Sequence, residues 1–178
     1  MAVFIITGAT GSVGRAIIQT LQSQSHEIRV LSTRKSVEIK GVSSFYWNPA
    51  TNEIDQDALM GADYLIHLAG ATVSKRWTPA YKKLIMDSRV DGTQLLLSAT
   101  SRLKTPLKAV ISASAIGYYG SDLERLMSEE DVPADDYLAA VTKTWESYTK
   151  KFKSPQTRSI QLRIGIVLDP GEGVLGRL

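Results

Sequence analysis

Three glycines carry the clearest chemistry in the chain. Gly8, Gly11 and Gly14 stand in "ITGATGSVGRA" at GxxGxxG spacing, after an apolar run and before a helical pattern. In a dinucleotide site the first such glycine makes the tight turn. The second lets backbone approach a pyrophosphate, and the third lets helix and strand pack closely. Backbone N–H groups at the helix start, aided by its dipole, then hold the phosphate charge. A glycine cluster alone marks only a turn, but here a strand precedes it and a helix follows. Gly8, Thr10, Gly11, Ser12, Val13 and Gly14 are therefore the predicted dinucleotide-binding segment.

The next strand bears on which dinucleotide. Sites for NAD usually place an acid about 20 residues further on, against the ribose 2′-hydroxyl. This strand instead ends "VLSTRK", a run with no acid in it. Arg34 can grip a 2′-phosphate bidentately, assisted by Thr33 or Lys35. The expected cofactor is NADP(H) rather than NAD(H).

The elements that must position these groups alternate. Val3–Thr7, Ile28–Ser32, Ser44–Trp47, Tyr64–Ala69, Ala109–Ala113 and Ser159–Leu168 read as short apolar strands. Helical spacing covers Ser12–Gln24, Asp57–Met60, Pro79–Thr100 and Tyr137–Phe152. The buried side of the long helix is predicted at Leu84, Ile85, Val90, Leu95, Leu96 and Ala99. Gly117–Asp136 reads as a polar loop, and "DPGEGVLGRL" begins another. Alternating strands and helices predict an α/β doubly wound parallel sheet, ordered 3-2-1-4-5-6.

The 178 residues suffice for one domain with a sizeable core. The net charge of +3 comes from scattered Lys and Arg, which read as a solvated surface and not as a nucleic-acid footprint. No cysteine is present, so disulfides and thiolate metal sites are excluded. The N-terminus lacks a signal peptide's features, and no apolar run approaches the roughly 20 residues of a membrane span. A cytoplasmic location is expected. His26, expected to be exposed, and His67, expected in the core, have no metal partner at ligand spacing, so no metal is predicted. The acidic run Glu129, Glu130, Asp131, Asp135 and Asp136 reads as solvated.

Further stretches then follow in order: "LIHLAGA", "SKRW", "DSRVDGTQLLLSA", "SASAIGYYG", "SEEDVPADDYLAAVTKTWE" and "LRIGIVL". With "TGATGSVG" they closely resemble an atypical branch of the extended short-chain dehydrogenase/reductases, the sugar-nucleotide-epimerase-like or cell-division-inhibitor-like proteins. The resemblance spans essentially the whole chain. It implies a Rossmann domain for NADP(H) over 1–178, with the family's smaller C-terminal substrate domain missing, and hence a piece of a longer chain. It also implies that Leu68, Ala69 and Gly70 border the cofactor.

Typical members of that superfamily use Tyr-x-x-x-Lys, which places both side chains on one helix face. The lysine lowers the phenol's pKa and holds ribose hydroxyls. Here Tyr46, Tyr64, Tyr81, Tyr118, Tyr119, Tyr137 and Tyr148 are followed four residues later by Ala50, Leu68, Ile85, Asp122, Leu123, Val141 and Phe152. Lys143 is six residues from Tyr137, roughly 240° around the helix, and cannot substitute. By family position Tyr137 matches the tyrosine, Val141 the lysine, and Ser114 the strand-end serine, with Ser112 as its fallback. Arg89 stands where an asparagine is expected and can hold a phosphate or ribose; otherwise it is a helix-surface arginine. Tyr118 and Tyr119 offer alternative phenols. Lys75, Arg76 and Trp77 can meet an anionic substrate such as a sugar nucleotide, or Trp77 packs its loop.

Two functions remain open on these residues. One is an NADP(H)-dependent epimerase or oxidoreductase acting on a small molecule with a non-standard catalytic site. The other is a non-catalytic NADP(H)-binding regulatory protein. Oligomeric state is not legible.

Overall fold

The computed structural model describes residues 1–35, 37–122, 124–169 and the backbone of 172–173. Its main strands are β1 (Val3–Thr7), β2 (Glu27–Ser32), β3 (Ser43–Asn48), β4 (Glu53–Ile54), β5 (Tyr64–His67), β6 (Ala109–Ala115) and β7 (Arg158–Ile164). They form one seven-stranded sheet ordered β4-β3-β2-β1-β5-β6-β7. Every neighbouring pair is parallel except β3 and β4. Without β4 the order is the predicted one. The two residues of β4 are too few for any periodicity to reveal. They return along β3 through a turn over Pro49–Thr51, which Asn48 caps and left-handed Asn52 (φ 56°) ends.

Helix α1 (Ser12–Ser23) covers one face of the sheet, and α2 (Pro79–Thr100) and α3 (Tyr137–Thr149) the other. Side chains alternate across a strand, so adjacent Ile5 and Ile6 feed different layers. Ile6 joins Ile18, Ile28, Val30 and Ile66 beneath α1. Ile5 joins Leu31, Leu65, Leu95, Leu96 and Val110 beneath α2. Burial on both faces is why these strands read as continuous apolar runs. Of the predicted inner side of α2, Leu84 is instead 49% exposed.

Several boundaries moved for local reasons. The fourth predicted strand stops at His67, because the N–H groups of Leu68 and Ala69 turn to the Thr7 hydroxyl, at 3.1 and 3.2 Å. The last predicted strand ends at Ile164, and β8 (Leu168–Asp169) turns back against β9 (Glu172–Gly173). Of the loop expected there, residues 170–171 and 174–178 lie outside the described residues. The short helix near Asp57 is a 3-10 turn over Gln56–Leu59, capped by Asp55. The helix expected through Phe152 tightens to 3-10 geometry after Thr149. No helix among the described residues is long and apolar enough to cross a membrane.

Candidate functional site

Parallel strands end at a common edge, and the strand order reverses between β1 and β5, where a crevice must open. A cleft of about 730 Å³ lies there. Its walls are the Gly8–Gly11 turn, Ser32, Thr33 and Arg34 after β2, Leu68–Ala71 after β5, and Leu84, Asp87, Ser88 and Asp91 of α2.

The glycines hold distinct positions. Gly8 has φ +72°, and a Cβ there would stand 2.9 Å from the Leu68 carbonyl carbon. A Cβ on Gly14 would meet the Gly8 oxygen at 2.5 Å, so only glycine lets α1 pack so near the turn. A Cβ on Gly11 would have only that oxygen near it, at 3.6 Å, and would fill otherwise open space. This open cradle fits the approach of a pyrophosphate. Gly11 also caps α1 without a side-chain hydrogen bond, whereas Thr78 caps α2 and Asp136 caps α3.

Arg34 and Thr33 are exposed at the cleft's rim. Thr10 and Arg34 also line a second hollow of about 570 Å³, together with Arg15 and Lys40. Arg15 was not among the predicted residues. It follows Gly14 directly, and that position was the signal available for it.

The turn after β5 is held by a chain of hydrogen bonds. Thr7 Oγ1 accepts from Leu68 and Ala69, so its own proton goes to His67 Nδ1, 2.7 Å away. Thr93 Oγ1 donates to the Arg89 carbonyl at 2.6 Å and therefore receives His67 Nε2–H at 3.3 Å. His67 is thus a neutral Nε2–H tautomer with no exposed surface. Burial first, and the Arg89 charge second, push its pKa down to about 3. It is a core histidine, as predicted, and it ties one wall of the cleft to α2. Ser88 and Arg89 grip the same turn: Ala71 N donates to Ser88 Oγ at 2.9 Å, and Arg89 Nη1 donates to Ala71 O at 3.0 Å.

Arg89 is half-buried and faces α3, with its guanidinium 5.1 Å over the Trp145 ring. Burial lowers its pKa, against the opposing influence of Tyr137 and Tyr81. Tyr137 donates its hydroxyl to the Lys82 carbonyl at 2.7 Å. Burial raises its pKa, and Arg89 only partly offsets this. Ser114 donates to Glu146 Oε1 at 2.7 Å, inside the protein. Ser112 is fully buried and donates to the Ala113 carbonyl. Tyr118 lies under the Arg163 guanidinium, 3.6 Å from its ring, and the Tyr119 hydroxyl accepts from Arg163 Nη1 at 2.7 Å.

Other groups settle into structural places. Trp77 bonds the Val73 carbonyl at 2.8 Å and packs on Tyr137. Lys75 and Arg76 are exposed. The acidic run is not simply solvated: Asp136 caps α3, and Asp131 pairs with Arg125 and accepts from Ser128 N. His26 is half-buried against Phe4 and accepts from Ala2 N, contrary to the exposure expected. No group of three or more metal-binding side chains occurs among the described residues.

The sequence reading missed Glu146 and Arg163. Glu146 is 3% exposed and takes Arg163 Nε at 2.8 Å and Nη2 at 3.0 Å. Burial works to raise its pKa, but the hydrogen bonds from Arg163 and Ser114 outweigh it and hold the carboxyl below its ordinary value. The available signal was an arginine inside the apolar run "LRIGIVL" and a glutamate on a half-buried helix.

Residues 4–157 match the family described as "NAD dependent epimerase/dehydratase family". An Epimerase family protein of Staphylococcus aureus is 35% identical over 179 residues, covering 98% of this chain and 58% of the relative. One of Mycobacterium bovis is 31% identical over 178 residues, covering 99% of this chain and 58% of the relative. The chain thus spans little more than half the length of these curated relatives. Among solved structures, the human epimerase family protein SDR39U1 (isoform 2) with NADPH aligns at TM-score 0.81 and 26% identity, over 98% of this chain and 57% of that one. A nucleoside-diphosphate sugar epimerase from Corynebacterium glutamicum aligns at TM-score 0.79 and 32% identity, over 99% of this chain and 36% of that one.

Proposed function

The chain belongs to the NAD dependent epimerase/dehydratase family, and on that premise we propose that it binds NADP(H) and serves an epimerase- or oxidoreductase-like reaction with a non-standard proton donor. One observation carries the cofactor choice: the open Gly11 cradle leads to Arg34 at the rim, and the end of β2 carries no carboxylate, the nearest along the chain being Glu38 in the neighbouring hollow. Backbone N–H groups at the start of α1 hold the pyrophosphate, and Arg34 meets the 2′-phosphate bidentately. When bound, the nicotinamide supplies hydride chemistry, and the protein supplies orientation and a proton.

Arg89 brings a fixed positive charge near Tyr137 from the neighbouring helix, where Val141 replaces the usual lysine. Tyr137 is the first proton donor by position, and delivering its proton requires the hydroxyl to leave the Lys82 carbonyl. Tyr118 is the second. A sugar nucleotide is the substrate class in view, on the likeness to the C. glutamicum epimerase.

The second reading is a non-catalytic NADP(H)-binding regulatory protein. It is favoured by the Tyr137 and Ser114 hydroxyl protons, both committed within the protein. Calorimetric titration with NADPH and NADH, then a turnover assay of the full-length protein with carbonyl and sugar-nucleotide panels, separates the readings. NADPH binding with turnover that Tyr137→Phe abolishes supports the enzyme. NADPH binding without turnover supports the regulator, and no binding sinks both.

A further inference from the structure

Trp145 lies on the α3 face that also carries Val141 and Tyr137, about one and two turns away. It is 4% exposed. Its indole Nε1 is the buried side-chain polar atom with no hydrogen-bond partner among the described residues. Buried donors are nearly always paired, and an exception calls for an acceptor that the protein itself does not supply.

The surroundings are rich in donors. The Arg89 guanidinium covers the indole ring at 5.1 Å, and the His67 ring meets it edge-on at 6.0 Å. Among the described residues Arg89's hydrogen bonds leave from Nη1, to the Ala71 and Ile85 carbonyls, which leaves the N–H groups of Nη2 and Nε for another partner. Arg and Trp side chains donate and never accept. His67 and Thr93 are already bonded. The place therefore asks for an oxygen acceptor from outside. Gly70, which lines the cleft, abuts this pair: a Cβ there would stand 3.1 to 3.3 Å from the Arg89 guanidinium.

We infer that Trp145 Nε1 and Arg89 form a two-donor subsite for a ribose or phosphate oxygen on the nicotinamide side of the dinucleotide. The inference rests on the cofactor reading above. The side is set by the sheet order: Arg34 follows β2, whereas Gly70 follows β5, and Trp145 packs on His67 of β5 from α3, which lies against β6. A dinucleotide with its 2′-phosphate on Arg34 and its pyrophosphate on α1 extends toward that end.

The test follows the indole N–H resonances of Trp47, Trp77 and Trp145 in the ¹⁵N-labelled chain, assigned by Trp→Phe variants. The probes are NADPH and adenosine 2′,5′-bisphosphate, which lacks the nicotinamide half. NADPH should move the Trp145 resonance downfield, and the bisphosphate should leave it in place. Trp145→Phe should weaken NADPH by about three- to tenfold, the worth of one hydrogen bond, and leave the bisphosphate unchanged. Arg89→Met should discriminate the two probes in the same direction, which covers the case of a misfolded Trp145→Phe. An unmoved Trp145 resonance at saturating NADPH, or equal weakening of both probes, overturns the subsite while the cofactor reading stands. If neither probe binds the unaltered chain, the cofactor reading fails and the subsite with it.

Discussion

Ser114 Oγ donates to Glu146 Oε1 at 2.7 Å, and the same carboxylate oxygen receives Arg163 Nε at 2.8 Å. The serine's proton is thereby turned into the packing between β6 and α3. Toward any ligand Ser114 is left with lone pairs and acts as an acceptor.

That ion pair is a stability element with a clear cost of removal. Glu146→Gln leaves Arg163, whose side chain is 14% exposed, without its countercharge. Breaking one side of a buried pair costs about 3–5 kcal/mol. Denaturant unfolding should show this loss at neutral pH. Because the Glu146 carboxyl sits below its ordinary pKa, its contribution is present above the unfolded value and fades as pH falls through the folded one. The difference between variant and parent should therefore narrow in acid, and a constant difference would count against the pair.

Gly11 and Gly14 should fail in different ways. Alanine at Gly14 collides with backbone at 2.5 and 2.8 Å, so overpacking of about 1–3 kcal/mol is expected together with lost cofactor binding. Alanine at Gly11 meets nothing nearer than 3.6 Å, and its stability should stay within about 0.5 kcal/mol. NADPH affinity should nevertheless drop, because the methyl fills the cradle. Thermal melts paired with NADPH titration check both, and tight binding by Gly11→Ala would contradict the cradle.

Arg34→Ala should weaken NADPH by about ten- to a hundredfold, the range for a hydrogen bond to a charged group, and leave NADH nearly unchanged. The NADPH advantage of the parent should shrink with salt, since Arg34 is exposed. Equal losses for both nucleotides would mean that Arg34 shapes the rim without reading the phosphate.

His67 gives the fold an acid-sensitive joint. Its folded pKa of about 3 lies below its unfolded value near 6.5, so between these limits the unfolded chain binds the extra proton. Stability should fall as pH drops through that window, by up to a few kcal/mol. The groups facing the ring are Thr7, Thr93, Arg89, Trp47 and Trp145, of which only Arg89 is charged. Melting temperatures between pH 7 and pH 4 should decline less steeply in His67→Gln, and identical slopes would place the acid sensitivity elsewhere.

The sheet order, the glycine turn and the place of Arg34 were legible because each is local. Apolar runs of strand length, glycines at fixed offsets and a strand-end arginine need no knowledge of the rest of the chain. That no tyrosine has a lysine four residues on was equally plain, since it is read directly from spacing along the chain. The same one-dimensional logic placed His67 in the core from its apolar neighbours.

What the phenols and the serine face belongs to the tertiary structure. Tyr137 and Lys82 are 55 residues apart, Ser114 and Glu146 32, and Arg163 and Tyr119 44. Spacing along the chain carries no trace of such partners, because they meet only when α2, α3 and the last strands close over the sheet. Hydrogen bonding then settles where each proton points. The sequence by itself determined a nucleotide-binding scaffold without the usual tyrosine–lysine pair. Only packing decided that Arg89 reaches across from α2 to Trp145 beside that gap, because long-range burial, and not local propensity, sets which helix faces meet.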